Sequence, residues 1–404
     1  MGKPRSRMTA QQIERDRARK RRANMSPEQI EHDRARKRVP KGQQLKSLSL
    51  LTNETTGELT ASWTKTEKES RPDLLTATPP DFALSRQSTM TVAGEPRVQW
   101  TSYDKPKQQA FEQFWAACEA ATVRYRGIAN VTAAPAETAE DLLTLYPLGD
   151  PHIGLLAWHK ESGTDFDVRI AERELFGVVE QLVERAPASQ TAILANLGDY
   201  VHAQNDKQLT PTGNNKLDVD GRMAKVNEIA FTLMRRLIDV TLRKHQLVKV
   251  VTVPGNHDPD TARMLRLYLK TVYENESRVE VLPNWNPYTY IHFGKNLFGF
   301  SHGDGAKPEH LPALMAADQP ELWGLCTHRY WHGGHVHHSE KKETPGCTFE
   351  SHRTLAANDA WHNWKGYRAG KSLSAITYTS LGGEISRLTV DLGLARARIF
   401  ASVK

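Results

Sequence analysis

The sequence predicts an α/β fold for residues 140–404, because short apolar runs that end in polar motifs alternate there with longer amphipathic runs. The short runs have the length of buried strands, and the long runs have the periodicity of helices that pack on a sheet. The predicted strands are 142–148, 191–197 and 249–253, and the predicted helices are 165–185 and 221–247.

A second group of strands is predicted at 296–301, 374–379 and 384–390. No helix of similar length separates these strands. The pattern therefore favours a sandwich of mixed sheets over a single parallel sheet.

Residues 1–44 carry the basic charge of the chain. They contain 14 Lys/Arg and 5 Asp/Glu, whereas the whole chain has a formal net charge of +7. The segment 8–21 recurs as 25–38, and each copy begins with a helix-capping pattern. Each copy has one aliphatic residue, Ile13 or Ile30, which cannot build a core. We expect two short helices that form on a partner or against the main domain.

Residues 45–139 form a second segment, which we expect to be an irregular arm followed by a helix. A hairpin is predicted where 48–51 and 59–64 flank Thr56-Gly57. The apolar spacing of 105–126 predicts a helix that packs on the following domain. The expected organisation is a basic duplicated segment (1–44), an arm with a helix (45–139) and a large α/β domain (140–404).

Composition excludes several classes of protein. Three cysteines without paired spacing give no disulfide framework and no cysteine-type zinc site. The chain has no apolar run of about 18 residues, and its N-terminus lacks the apolar segment of a secretory signal. We expect a cytoplasmic protein with no membrane partner.

Five clusters of His, Asp and Asn follow predicted strands or lie near the end of the domain. They are Asp150-Pro-His152, Gly198-Asp199, Gly255-Asn256-His257-Asp258, His302-Gly-Asp304 and Gly334-His335-Val-His337. Taken singly, an Asp after a strand is most often a turn or helix-cap residue, and a lone His is most often packed or solvated. Ligands in α/β folds bind at the C-terminal ends of strands, so five such clusters favour a metal site.

The types of donor limit the choice of metal. Imidazole, carboxylate and amide groups suit Mn, Fe, Zn or Ni, whereas an all-oxygen set favours Mg or Ca and thiolates favour structural zinc. So many donors require two ions. Two ions about 3.5–4 Å apart clamp phosphate oxygens and activate a bridging water, so one carboxylate must bridge them. We expect two divalent ions per chain, with Mn²⁺ favoured and Fe, Zn or Ni as alternatives.

The series of motifs resembles the five-part signature of the calcineurin-like metallophosphoesterases over about residues 140–340. The resemblance implies a four-layer α-β-β-α sandwich and hydrolysis of phosphoesters. The implied ligands are Asp150, His152 and His337 for one ion, Asn256, His302 and His335 for the other, and Asp199 as the bridge. It also implies that His257 contacts the scissile phosphate and assists the leaving group, with Asp258 orienting its ring.

One position differs from the commonest pattern of that family, which often has Asp where this chain has His202. A His at this place resembles the double-strand-break repair nuclease branch, and it favours a nucleic-acid substrate contacted by His202, Asn256 and His257. The alternative is that His202 changes the phosphate contacts without fixing the substrate class.

The basic repeats also favour nucleic acid, since clustered Lys and Arg bind phosphate backbones without sequence preference. The candidate contacts are Arg17, Arg19, Lys20, Arg21, Arg34, Arg36, Lys37 and Arg38. A solvated tail is the alternative for these repeats. We therefore predict a two-metal phosphodiesterase that cleaves DNA. A phosphatase, a small-molecule or cyclic-nucleotide phosphodiesterase, and an inactive nucleic-acid-binding scaffold are the alternatives, and a homo-oligomer stays open.

Two segments have competing interpretations. Residues 358–362 with Trp364 and Tyr367 form either a substrate-facing loop with stacking aromatic side chains or a packing loop over the sheet edge, and we favour packing. Residues 203–222 either contact substrate or form a surface insertion, with equal weight. Three residues near the last motif are left without a role: His338, His352 and Arg353.

Overall fold

The computed structural model describes residues 43–52, 59–68, 83–92, 95–104, 116–117, 120, 122–211, 213–283 and 285–401. The chain divides into two units, Met1–Gln109 and Ala110–Lys404. The repeats, with the eight basic residues named above, lie outside the described residues. The same is true of most of the helix predicted at 105–126, whose described end is a 3-10 turn at Val123–Tyr125.

The first unit contains two antiparallel strand pairs. The first pair is β1 (Gln43–Thr52) with β2 (Leu59–Lys68), and the second is β3 (Ala83–Val92) with β4 (Glu95–Asp104). The pair β1/β2 confirms the hairpin predicted around Thr56-Gly57. The expected irregular arm is wrong for these four ranges, because their Thr-rich, alternating sequences favour pleated strands.

The second unit holds eleven strands among the described residues. They are β5 (Ala139–Leu148), β6 (Ser189–Asn196), β7 (Leu247–Thr252), β8 (Val279–Val281), β9 (Thr289–Phe293), β10 (Asn296–Phe300), β11 (His328–Gly333), β12 (Glu340–Thr344), β13 (Cys347–Ser351), β14 (Ser372–Thr379) and β15 (Glu384–Asp391). All six strands predicted in this domain are present, with ends shifted by a few residues at most.

The helices of the second unit, within the described part, follow in chain order. They are α1 (His159–Ser162), α2 (Val168–Arg185), α3 (Met223–Leu242), α4 (Pro259–Val272), α5 (Leu311–Asp318), α6 (Pro320–Leu325), α7 (Ala360–Trp364) and α8 (Leu392–Ala401). None of the helices in the described residues is long and apolar enough to cross a membrane.

The two long helices begin and end for local reasons. Asp167 caps α2 by accepting a hydrogen bond from the Ile170 amide at 2.8 Å. Helix α3 ends at Leu242, five residues before the predicted end. The chain then turns so that His245 is buried, where its ring contacts Ser189 and Tyr146 at 2.9 and 2.8 Å.

Two mixed sheets and the helices make four layers, as the α-β-β-α expectation requires. One sheet has the order β15-β14-β5-β6-β7-β8 and the other has the order β12-β13-β11-β10-β9. Leu145, Ile193, Phe298 and Phe300 are buried between the two sheets. The larger hydrophobic cluster lies between the first sheet and α2, α3, α4 and α8, and a smaller one lies under α5.

Candidate metal centre

The five motifs meet because they follow strands that end at neighbouring positions. Strands β5, β6 and β7 are adjacent and parallel, so the loops that carry Asp150, Asp199 and Asn256 leave the same edge of the first sheet. Strands β10 and β11 are parallel neighbours in the second sheet, and they deliver His302 and His335. Both sheets thus present donor side chains at their C-terminal edges, where α/β folds bind ligands.

The backbone at these motifs is strained. Seven non-glycine residues have positive φ in the part of the chain that the structure describes, and five of them belong to the motifs. Those five are Asp150, His152, Asp199, His335 and His337. A left-handed conformation costs an ordinary residue about 1–2 kcal/mol, and such strain concentrates at functional sites.

Glycines let the chain approach these donors closely. A Cβ added to Gly334 would lie 2.6 Å from an Asp150 oxygen, and one added to Gly255 would clash with the Asp199 carboxylate. The glycines in the two motifs are therefore required by packing against the carboxylates.

Asp150, His152 and His337 form the first group of donors. The Nε2 atoms of His152 and His337 are 3.1 Å apart. The Asp150 carboxylate accepts the His335 amide at 2.9 Å, and its carbonyl accepts the Thr354 hydroxyl at 2.5 Å. Asp150 and His152 are almost completely buried.

Asp199, His302 and His335 form the second group. The Nε2 atom of His302 lies 3.2 Å from Asp199 Oδ2, 3.0 Å from Asn256 Oδ1 and 3.2 Å from His335 Nδ1. The Nδ1 atom of His302 contacts the Leu197 carbonyl at 2.9 Å, so Nε2 is the nitrogen that faces the other donors.

The Asp199 carboxylate lies between the two groups. Its Oδ2 is 4.0 Å from His152 Nε2 and 3.2 Å from His302 Nε2, and its Oδ1 accepts the His257 amide at 2.8 Å. This is the place that a bridging carboxylate requires. The structure therefore brings together all seven residues that the resemblance implied as ligands.

Asp258 does not orient His257 as expected. Its carboxylate instead accepts the amides of Asp199, Val201 and Gly255, each at 3.1 Å. The His257 ring is oriented by a contact of 2.7 Å between its Nδ1 and the His202 carbonyl. Asp258 thus fixes the two loops that carry the bridge and His257, because it sits buried beneath both.

His202 was expected to contact substrate, but it is 1 % exposed and lies behind His152. Its Nδ1 is 3.2 Å from His152 Nδ1, and its ring stacks on His257 with centroids 5.2 Å apart. A partner at Nδ1 sets the tautomer of His152 and leaves Nε2 to face His337. The expectation was wrong because His202 follows the short bridge of Ile153 to Val201, which directs it inward.

Burial favours the neutral form of the two imidazoles in the first group, which leaves a lone pair on each ring. Burial lowers the pKa of His337 to about 3 and the pKa of His152 well below its usual value. Burial raises the pKa of Asp150 to about 7, with the Asp199 charge adding to the effect. Protons are therefore held weakly on the imidazoles of this group.

The pKa values of His302 and Asp199 in the second group are shifted in the opposite direction, because His302 lies beside two carboxylates. Burial alone would lower the pKa of His302, but Asp199 and Asp150 raise it to about 10. Burial would raise the pKa of Asp199, but His302 and His257 hold it below the usual range. A proton on His302 thus occupies the place where a cation would interact with the same carboxylates.

The donor set fits divalent ions. Two nitrogens about 2.1 Å from one ion and about 90° apart are separated by about 3 Å, close to the 3.1 Å between His152 and His337. Two neutral, buried imidazoles can share only one proton across such a distance. Both groups of donors could therefore each hold an ion.

A cavity of about 610 Å³ opens onto this centre. His257 lines it, and so do Thr210, Asn215, Lys216 and Leu217 from the 203–222 loop and Asp359, His362 and Tyr367 from the 358–367 loop. The packing interpretation is wrong for Asp359, His362 and Tyr367 of the second loop, because these side chains line the cavity. Of the three residues left without a role, His338 lines the cavity, whereas His352 and Arg353 do not.

A second buried cluster of His332, Glu350 and His352 was missed. His332 Nδ1 lies 3.0 Å from His352 Nε2, and Arg387 binds both Glu350 oxygens at 2.5 and 2.8 Å. No motif marks these residues, because they sit within strands β11 and β13 or directly after them. Only the parallel pairing of His332 with Glu350 brings them together.

Comparison with known proteins gives the family. Residues 144–369 match the family model of the calcineurin-like phosphoesterases, and the chain belongs to that family. The members use divalent metals, so the enzyme is a metal-dependent phosphoesterase. Among curated proteins, none matches the sequence.

Several solved structures are similar in part. Yfce, a phosphoesterase from E. coli, is 17% identical with a TM-score of 0.33, and covers 61% of this chain and 98% of its own. An archaeal phosphodiesterase is 12% identical with a TM-score of 0.31, over 61% and 99%. A Vps29 mutant from Entamoeba histolytica is 15% identical with a TM-score of 0.26, over 61% and 98%. Scores this low carry no argument about function.

Proposed function

We propose that the protein is a two-metal phosphodiesterase that cleaves DNA, with Mn²⁺ as the favoured ion. The observation that carries this proposal is the position of Asp199 between two groups of donors, with Oδ2 facing both His152 and His302. Two ions bound there would clamp phosphate oxygens and activate the attacking water.

The protein's own residues supply the remaining tasks. His257 lines the cavity, and the His202 carbonyl fixes its Nδ1, so its Nε2 faces the bridge at 3.9 Å from Asp199. A ring held in this way is placed to contact the phosphate and to assist the leaving oxygen. Asn256 contacts His302 and also lines the cavity, so it sits where a phosphate oxygen would approach.

Two observations support DNA as the substrate. The 1–44 segment is strongly basic and binds phosphate backbones well in principle. The lining of the cavity includes Lys216 and Tyr367, which offer a cation and an aromatic face to a nucleotide. The contacts proposed for Arg17 to Arg38 rest on charge alone.

The test is a substrate panel with metal-free protein reloaded with Mn²⁺, Mg²⁺, Zn²⁺ or Ni²⁺. We expect cleavage of bis-p-nitrophenyl phosphate and of DNA under Mn²⁺, and loss of both with EDTA. Brisk hydrolysis of a phosphomonoester without any cleavage of DNA or RNA would contradict the proposal and favour a phosphatase. Binding of DNA without turnover under every metal would favour a scaffold.

A further inference from the structure

A rim of exposed aromatic side chains lies on and beside α1 and α7, and His362 of α7 lines the metal cavity. Trp364 in α7 is 76% exposed, Trp158 before α1 is 49% exposed and Tyr367 after α7 is 42% exposed. The two helices contact each other, and the Asn363 side chain donates to the Glu161 carbonyl at 2.5 Å. Large aromatic residues grouped on one exposed edge beside a site indicate a binding surface.

One of these aromatic residues, Tyr367, is connected to the candidate metal centre through His362. The His362 ring stacks on His337 with centroids 5.0 Å apart, and Tyr367 meets His362 edge-on at 5.5 Å. Asp359 fixes the His362 ring by accepting from Nδ1 at 2.7 Å. A line of rings thus leads from a candidate metal ligand outward to α7.

Positive charge accompanies the rings. Lys160 lies over Trp158 at 5.2 Å and Lys365 over Trp364 at 4.6 Å. Residues 360–371 contain Lys365, Arg368 and Lys371 and no carboxylate. On the α1 side, Asp165 is engaged by His159 at 3.0 Å, while Glu161 offsets Lys160. The charge balance of the α7 side favours an anionic chain.

We infer that this rim, formed by Trp158, Trp364 and Tyr367 with Lys365 and Arg368, binds single-stranded DNA and leads its backbone to the metal centre. The inference rests on the proposed function. Aromatic faces stack on unpaired bases of any sequence, and flanking cations follow the phosphates. The bases of a duplex are already stacked, so exposing their faces carries a cost that a single strand avoids.

The test measures binding without turnover. A fluorescein-labelled oligothymidylate of about 15 nucleotides, within the usual site size, is titrated by anisotropy into protein that carries His257→Gln. We expect Trp364→Ala to raise the Kd by about 5- to 150-fold, the range typical of one lost base stack. Trp364→Phe should restore most of the affinity, because it keeps an aromatic face.

Trp285→Ala is the matched control. Trp285 is 58% exposed and lies under Arg266 at 3.8 Å, so it offers a similar aromatic face beside a cation, but it belongs to the segment between β8 and β9 and not to α1 or α7. Its removal should leave the Kd unchanged. Equal Kd values for Trp364→Ala and Trp285→Ala would overturn the inference, and so would an equal loss of affinity for duplex DNA. A larger loss with oligouridylate would overturn the assignment to DNA.

Turnover separates this inference from the proposed function. In the wild-type background, Trp364→Ala should raise the KM for single-stranded DNA relative to the KM for bis-p-nitrophenyl phosphate. If the protein cleaves DNA and this ratio does not change, the inference fails while the proposed function stands. If no diester is cleaved but the Kd still depends on Trp364, the proposed function fails and the binding surface stands.

Discussion

The molecule contains two buried clusters of imidazole and carboxylate that differ in how their lone pairs are used. In the metal centre, His152 and His302 both face Asp199, His337 faces His152, and the group opens onto a cavity. In the other cluster, Arg387 already binds both oxygens of Glu350, and the two histidines contact each other.

The electrostatics of the two clusters follow from this difference. Burial alone would raise the pKa of Glu350, but the hydrogen bonds from Arg387 lower it to about 2. A guanidinium in that position repels a second cation and leaves no oxygen free for it. Composition alone therefore does not make a metal site. Donors that converge at the ends of strands, beside a cavity and with no arginine bound to their carboxylates in the described part of the chain, favour one. We expect four experiments to sharpen the comparison.

The largest effect is expected from Asp199→Asn. Loss of the bridging charge should reduce turnover of bis-p-nitrophenyl phosphate by about 10³-fold or more, because several kcal/mol of transition-state stabilisation are lost at about 1.4 kcal/mol per tenfold. Metal content measured by atomic emission should fall below that of the wild type. Full metal content with full activity would contradict the position given to Asp199.

The second prediction concerns His257→Gln, which removes the proposed acid but no proposed ligand. We expect kcat to fall by about 10²–10⁴-fold, the usual contribution of general acid–base catalysis, with metal content unchanged. His292→Gln is the matched control, since His292 is exposed on β9 away from the cavity. A metal-depleted His257→Gln protein would instead make His257 a ligand.

The third prediction concerns the second cluster, in which Glu350 is replaced by Gln. Glu350→Gln should leave metal content and kcat near the wild-type values, because Glu350 holds Arg387 and no ion. It should destabilise the fold by about 1.5–3 kcal/mol, the usual contribution of a hydrogen bond to a charged group, because Glu350 loses its charge while Arg387 keeps its second partner, Glu384. Urea unfolding measures this effect. Loss of metal in Glu350→Gln would show that the clusters are not independent.

The smallest effect is expected in the pH dependence of stability. Burial lowers the pKa of His352 to about 4 and that of His332 to about 3. In the unfolded protein these histidines have a pKa near 6.5, so between about pH 6.5 and pH 4 they bind more protons than in the folded protein. Their contribution to the free energy of unfolding is therefore present above about pH 6.5 and is lost as the pH falls toward 4.

His352→Gln should therefore flatten the acid side of the stability curve by up to about 1.4 kcal/mol per pH unit. Unfolding is followed in EDTA from pH 7 to 4.5, so that metal binding does not contribute. An unchanged slope would mean that His352 is already protonated in the folded protein.

The metal centre was predictable because each of its residues lies in a short motif directly after a strand. The signals were local in the chain: the length of each strand, the positions of Asp150, Asp199 and Asn256 after the strands, and the short motifs that carry the family resemblance. The same local information misjudged His202 and Asp258, since their roles depend on which atoms lie behind His152 and beneath His257.

The sequence by itself determined the α/β class, the strands and the basic N-terminal segment, because these follow from periodicity and composition. The seven donors were implied by the family resemblance of the motifs. Only the tertiary structure decided that α7 borders the cavity, that Asp258 fixes two loops, and that His332, Glu350 and His352 form a cluster. The physical reason is that these relations join residues from different strands and loops, and sheet pairing, not local sequence, sets their distances.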